Sequence, residues 1–225
     1  MKKEFEKRIY SSLIIIPISL FFVVQGGIFL IFFFSIFFLV TSYEWYKMTK
    51  RKYFLKFIGI VFLFLSFYTT YLFREELGLY NFLFSVLICI STDIGGYFFG
   101  KTFKGPKLTK ISPNKTYAGV IGSFILSIIT GLIYNQYFGP ILISNLINFF
   151  KSDFSHTFLL LILFISLISQ IGDLIISYFK RISKVKDTGK ILPGHGGLLD
   201  RIDGMIFSFP IAYILLLNEF FSLIL

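Results

Sequence analysis

The sequence predicts an all-α integral membrane protein, a polytopic helix bundle of about seven transmembrane helices plus one short re-entrant or interfacial segment. Three observations carry that expectation. Of 225 residues, 56% are hydrophobic and 15% are charged, against roughly 25% charged in ordinary soluble domains. Mean hydropathy is +0.80, more apolar side chain than a soluble fold of this length can cover, whereas a bilayer solvates an apolar exterior. The apolar residues fall in runs near the ~20 residues a spanning helix needs, and the basic residues fall between those runs.

The runs occupy residues 9–25, 27–43, 53–73, 78–100, 116–134, 138–150, 156–179 and 205–224. The charged start, Met1 to Arg8, looks like the beginning of a signal peptide. No small-x-small cleavage site follows and a second run begins at once, so a retained first helix is expected. The run at 138–150 is short and holds Pro140, Asn145 and Asn148; it is the segment expected not to cross.

Twenty of the 22 Lys and Arg lie in four clusters, at 2–8, 47–56, 101–115 and 180–201, with only Arg74 and Lys151 apart. Basic loops favour the cytoplasmic side. Placing all four clusters there requires an even number of crossings between them, which holds if 138–150 stays on one side. The N-terminus is then inside and the C-terminus outside. The net charge of +10 is read as membrane orientation, with the same cations available to an acidic substrate or an anionic lipid surface; no nucleic-acid partner is expected. The single cysteine, Cys89, sits in an apolar run, so neither an internal disulfide nor a cysteine metal cluster is available. No repeat of fixed period is visible.

Two acids stand inside apolar runs, where a carboxylate costs about 2.5–3.5 kcal/mol and marks function by default. Asp93 is eight residues before Lys101 and Asp173 is seven before Lys180, about 10–12 Å inside their helix ends at 1.5 Å per residue. Ser166, Ser169, Gln170, Asp173, Ser177 and Lys180 share one helix face. On the other helix Cys89, Asp93, Gly96 and Gly100 share a face, and Gly96 and Gly100 form a G-x-x-x-G pair that permits close approach. Ala118/Gly122 and Gly119/Ser123 offer the same on the next helix.

The densest polar signal runs from Ser177 to Asp203. Lys180, Arg181, Lys186 and Arg201 suit phosphate. Gly194, Gly196 and Gly197 let backbone N–H groups approach an anion, and the glycine pair is expected to open a helix whose N-terminus favours negative charge. Asp200 and Asp203, three apart, project from one face of that helix. Carboxylates so placed suit Mg²⁺ shared with substrate phosphates.

In order and spacing, Ser177, Lys180, Arg181, Lys186, Asp187, Gly189, Pro193, His195, Gly196, Gly197, Asp200, Arg201 and Asp203 resemble the signature of the phosphatidate cytidylyltransferases, or CDP-diacylglycerol synthases. The run from Ser112 to Gly119 resembles that family's S-P-x-K-T-aromatic-x-G element. Asp93 with Tyr97 and Gly100 resembles its D-x-x-A-Y-x-x-G element, with Gly96 where alanine is usual. The resemblance covers about 91–210; the first 75 residues match only as apolar spans, and the chain is short for the family.

The resemblance implies transfer of CMP from CTP to phosphatidic acid, giving CDP-diacylglycerol and pyrophosphate, in a multi-pass protein of a bacterial inner membrane with its site facing the cytoplasm. Residues 1–75 would be N-terminal transmembrane helices, and 76–225 a catalytic transmembrane region with cytoplasmic loops 101–115 and 180–203. By the same resemblance Asp173, Asp200, Lys186 and Arg201 are catalytic. Ser112, Lys115, Ser177, Lys180, Arg181, His195, Gly196 and Gly197 bind substrate. Mg²⁺, with room for a second cation, falls to Asp173 and Asp200 first and to Asp93 and Asp203 second. His195 is ranked as a binder, because phosphatidic acid is already ionised near pH 7 and needs no base. CTP would arrive from water, and the lipid sideways with its tails left in the bilayer. Small-residue helix faces permit a homodimer. A transporter fits less well, since polar groups cluster at one face and no repeat is seen. The D-G-x-x-A-R element of CDP-alcohol phosphotransferases is missing, while an isoprenoid-lipid cytidylyltransferase would share the chemistry.

Overall fold

The structure, a computed structural model, describes residues 2–49, 52–109, 112, 114–142, 156–191 and 196–217. These residues form α1 (Lys2–Gln25), α2 (Gly27–Met48), α3 (Tyr53–Glu76), α4 (Gly78–Phe103), α5 (Tyr117–Leu142), α6 (His156–Ile182), α7 (Leu199–Ile202) and α8 (Met205–Leu217). Five stretches, in α2 to α6, are long and apolar enough to cross a membrane, and Leu13–Gln25 and Met205–Leu217 are shorter apolar helices. The all-α polytopic architecture is therefore as expected. The segment at 138–150 does not start as an element of its own: residues 138–142 continue α5, and 143–150 lie outside the described residues.

Helices that are apolar on all sides need lipid around them, and the surface bears this out. Ile28, Phe32, Phe57, Ile121 and Tyr137 are more than half exposed, while Leu30, Leu63, Phe73, Ile88, Leu161 and Ile165 are sealed inside. Chain reversals are tight. Gly26 and Gly27, where α1 meets α2, and Gly78, at the start of α4, have positive φ, which an L side chain resists.

The two ends of the bundle are distinct. At one, Arg74 of α3 donates from Nε and Nη2 to the carbonyls of Val23 and Val24 at the end of α1, and Glu75 accepts the Gly27 N–H. Tyr213 of α8 donates to Glu76, and Tyr134 of α5 to the Tyr80 carbonyl. This explains the isolated Arg74: it caps α1's free carbonyls. At the other end gather the exits of α2, α4 and α6, the entrance of α5, and α7, so three of the basic clusters lie close together.

α4 and α5 pack closest. A Cβ added at Gly95 would stand 2.5 Å from the Gly122 carbonyl oxygen, and one at Gly119 2.8 Å from that of Gly96. The small-residue faces read from the sequence are thus occupied within the chain. Ser123 Oγ donates to the Thr92 carbonyl and Thr92 Oγ1 to Ser166 Oγ, tying α4 to α5 and α6. Part of the polar stripe on α6 is therefore helix-to-helix bonding.

Candidate active site

At the basic end a pocket of about 460 Å³ opens between α4, α5, α6 and α7. Asp93 and Tyr97 of α4 line it, with Ser112 and Lys115 from the following loop, Gln170, Asp173 and Lys180 of α6, and Asp187, Asp200, Arg201 and Asp203. Five carboxylates from four parts of the chain, Asp93, Asp173, Asp187, and Asp200 with Asp203, thus meet in one cavity. Close backbone approach makes the meeting possible. A Cβ at Gly172 would stand 2.9 Å from the Asp203 carbonyl oxygen, and one at Gly204 3.0 Å from that of Ser169, so α6 lies directly against the start of α8.

Charges alternate across the pocket. Lys115 Nζ lies 2.6 Å from Asp173 Oδ2, and Ser177 donates to Asp173 Oδ1 at 3.3 Å. Lys180 Nζ reaches Asp200 Oδ1 at 2.8 Å, with side chains only 14% and 8% exposed. Asp200 is a hub. Its Oδ2 accepts from the Thr188 N–H (2.8 Å), the Thr188 hydroxyl (3.0 Å) and the Gly197 N–H (3.2 Å). Asp203 Oδ1 accepts the Gly204 N–H at 2.9 Å. Burial first, then the neighbouring Asp173 carboxylate, push the Asp203 carboxyl well above the ordinary range; Lys180 opposes this and Asp93 adds to it.

One residue that the motif pattern gives no reason to single out completes the site. Glu44, on the last turns of α2, is 1% exposed. It accepts from the Leu198 N–H at 3.0 Å, the Leu199 N–H at 2.9 Å and the Thr188 hydroxyl at 3.1 Å. It occupies the end of α7, where the orphan N–H groups of a helix attract an anion, and so locks the 186–200 loop to α2. Gly189 and Gly197 are required beside it, since a Cβ at either would collide with the Glu44 carboxylate. In the sequence Glu44 follows an apolar run and precedes Lys47, so it passes for a boundary charge. Its position between Tyr43 and Trp45 is the only local hint.

Of the other sequence-selected residues, Arg181 on the last turn of α6 and Lys186 on the segment that follows are exposed. Gly196 has φ +87° and turns the chain so that the Gly197 N–H meets Asp200. The backbone at Gly197, Leu198 and Leu199 thus faces protein carboxylates here. The 4-residue α7 is shorter than the helix expected after the glycines, and Asp203 sits just beyond its end. His195 lies outside the described residues.

The donor set suits Mg²⁺. Asp93, Asp173 and Asp203 present hard oxygens to one pocket, and their repulsion adds to burial in raising the Asp203 carboxyl. Among the described residues no three Asp, Glu, His or Cys stand at ligand spacing. A Mg²⁺ here would share its shell with phosphate and water, its usual habit, rather than sit in an all-protein cage.

The sequence model of the cytidylyltransferase family matches residues 53–218. The chain is 42% identical over 167 residues to a phosphatidate cytidylyltransferase of Staphylococcus aureus (strain COL), covering 72% of this chain and 56% of that protein. It is 40% identical over 144 residues to the phosphatidate cytidylyltransferase of Bacillus subtilis (strain 168), covering 63% of this chain and 49% of that protein. The chain spans about half the length of the curated relatives it matches. Glu44 falls before the residues matched to the family.

Proposed function

The chain belongs to the cytidylyltransferase family, and from that premise we propose that it transfers CMP from CTP to phosphatidic acid at the cytoplasmic face of a bacterial inner membrane. A phosphate oxygen of phosphatidic acid forms a bond to the α-phosphorus of CTP. The bond from that phosphorus to the bridging oxygen of the β-phosphate breaks, and pyrophosphate leaves with the electron pair. The lipid phosphate is ionised near neutral pH, so no side chain has to remove a proton.

The observation that carries this reading is the pocket itself. Its acids and cations alternate at one end of an apolar bundle, on the residues whose order resembles a cytidylyltransferase signature. Joining two anions is a problem of positioning and charge neutralisation. Lys115 and Lys180 are held into the pocket by Asp173 and Asp200, pre-aimed at incoming phosphates. Arg201 adds a planar fork, and Arg181 and Lys186 extend the positive field toward water. Ser112 supplies a hydroxyl to the pocket lining, Ser177 steadies Asp173 from behind it, Gly196 and Gly197 shape the turn that holds Asp200, and the resemblance assigns His195 to substrate binding. Mg²⁺ would be held by Asp173 and Asp203 with Asp93, and by Asp200 as the resemblance implies; when bound it neutralises charge on the transferring phosphoryl group.

The test is direct. The protein purified in detergent is given labelled CTP and phosphatidic acid, with Mg²⁺ or with excess chelator. Labelled CDP-diacylglycerol and an equal amount of pyrophosphate are expected with Mg²⁺ only. Product from a polyprenyl phosphate and none from phosphatidic acid would reassign the acceptor. No product from either ends the reading.

A further inference from the structure

α7 separates two cavities of opposite character. Asp200 and the adjoining Asp203 face the polar pocket, whereas Leu198 and Ile202 face an apolar cavity of about 350 Å³ among α1, α2, α3, α4 and α8. Leu198 and Ile202 are four apart and Asp200 and Asp203 three apart, so each pair shares one side of the turn. Arg201 lines both cavities.

The apolar cavity has hydroxyls in its wall, but each is engaged. Ser19 Oγ donates to the Ile15 carbonyl, Ser66 Oγ to that of Ile206, and Thr70 Oγ1 to that of Ser66. Apart from Arg201 at its edge, the described wall residues therefore offer hydrocarbon contact and no free hydroxyl for a headgroup or a nucleotide. Along α1 the lining runs from Ile15 to Val23, about 12 Å at 1.5 Å per residue. That approaches the ~15 Å of hydrocarbon in one leaflet, half of a ~30 Å core.

We infer that this cavity seats one acyl chain of the lipid substrate, with Arg201 at the boundary between phosphate and tail. The inference rests on the reading of the site as acting on a phospholipid, and it changes the expectation that both tails stay in the bilayer. Moving a tail from lipid into an apolar wall yields little transfer energy, since both surroundings are apolar. The seat acts by registration: a tail fixed on one side of α7 brings its phosphate over to the other, beside Lys180 and Arg201, in reacting position.

Two substitutions intrude on the cavity from different helices, Val86→Phe on α4 and Ser19→Phe on α1. Turnover of dioleoyl and dihexanoyl phosphatidic acid with CTP is compared in mixed micelles. The ratio of kcat/KM for the long lipid over the short one is expected to fall about tenfold in each variant, equivalent to about 1.4 kcal/mol and within the range of an overpacked site. Equal losses on both lipids, or no loss on either, overturns the inference. A second measurement needs no variant. Phosphatidic acid carrying a diazirine at the end of one chain is irradiated with the wild-type protein, and adducts are mapped. Adducts on cavity residues such as Phe37 or Phe67 are expected. Adducts confined to lipid-facing residues such as Phe32 and Phe64, each more than half exposed, overturn it. A wild-type protein that turns over neither lipid sinks the functional reading instead, and the adduct map still decides the cavity.

Discussion

Glu44→Ala tests the site where its sequence signature is silent. The substitution removes the acceptor for two buried backbone N–H groups, those of Leu198 and Leu199, bonded at 3.0 and 2.9 Å. The Thr188 hydroxyl, at 3.1 Å from Glu44, keeps Asp200 as a second acceptor at 3.0 Å, so it is not orphaned. Each buried N–H left without a partner costs about 1–3 kcal/mol. Water entering the vacated space lowers that, and a total of about 2–4 kcal/mol is expected. Glu44→Gln keeps the shape but turns an NH₂ donor toward one N–H, so it should cost less than alanine and more than nothing. Trp45 is the single tryptophan of the chain and packs edge-on against Phe179 with centroids 5.0 Å apart. Its fluorescence therefore reports thermal unfolding next to the substituted residue. The alanine variant should melt several degrees lower, since 1 kcal/mol corresponds to about 2–4 °C for a chain of this size. It should also lose at least about tenfold in CTP incorporation below its melting point, because Thr188, Leu198 and Leu199, which flank and hold Asp200, lose their common anchor on α2. A melting temperature within about 2 °C of wild type, together with unchanged turnover, refutes the idea that Glu44 holds the loop.

Three further predictions rest on separate contacts. Asp173→Asn keeps the side-chain shape but removes the charge that meets Lys115 and any cation; CTP incorporation should fall about 100-fold, and activity within about twofold of wild type removes Asp173 from the reaction. Asp203 has a carboxyl raised in the folded state, so its ionisation costs stability as pH rises above the unfolded value of about 3.9. In chelator-containing detergent Asp203→Asn should therefore melt higher than wild type at pH 8, with the gap closing as pH is lowered; a lower melting temperature at pH 8 contradicts the cause assigned here. Gly119→Val places a branched side chain against the Gly96 carbonyl, and overpacking should destabilise the chain by about 1–3 kcal/mol, read as a lowered melting temperature; no change would mean that α4 and α5 are not held this close.

Much of the fold is legible before any tertiary information. Run length and composition locate α1 to α6 and α8 because lipid selects on them residue by residue, without regard to partners. The gathering of Lys115, Lys180 and Arg201 at one bundle end follows from the same run count. The glycines at 96, 100 and 119 announce close packing, since only the lack of a side chain permits it, although nothing local says whether the partner helix belongs to the same chain. Asp93 and Asp173 stand out because a lone carboxylate inside an apolar run has a cost that demands a partner.

What the amino-acid order determined by itself is therefore the membrane fold, the end at which polar groups collect, and the set of acids and cations that a phosphate-handling site would use. Tertiary structure alone decided how those groups divide their bonds: Asp200 enclosed by Thr188, Gly197 and Lys180, Glu44 reaching across more than 140 residues to the end of α7, and an apolar cavity behind Arg201. The reason is physical. Solvation by lipid acts on each segment independently and leaves its mark in one dimension, whereas saturation of a carboxylate or enclosure of a cavity depends on groups brought together only when the helices pack.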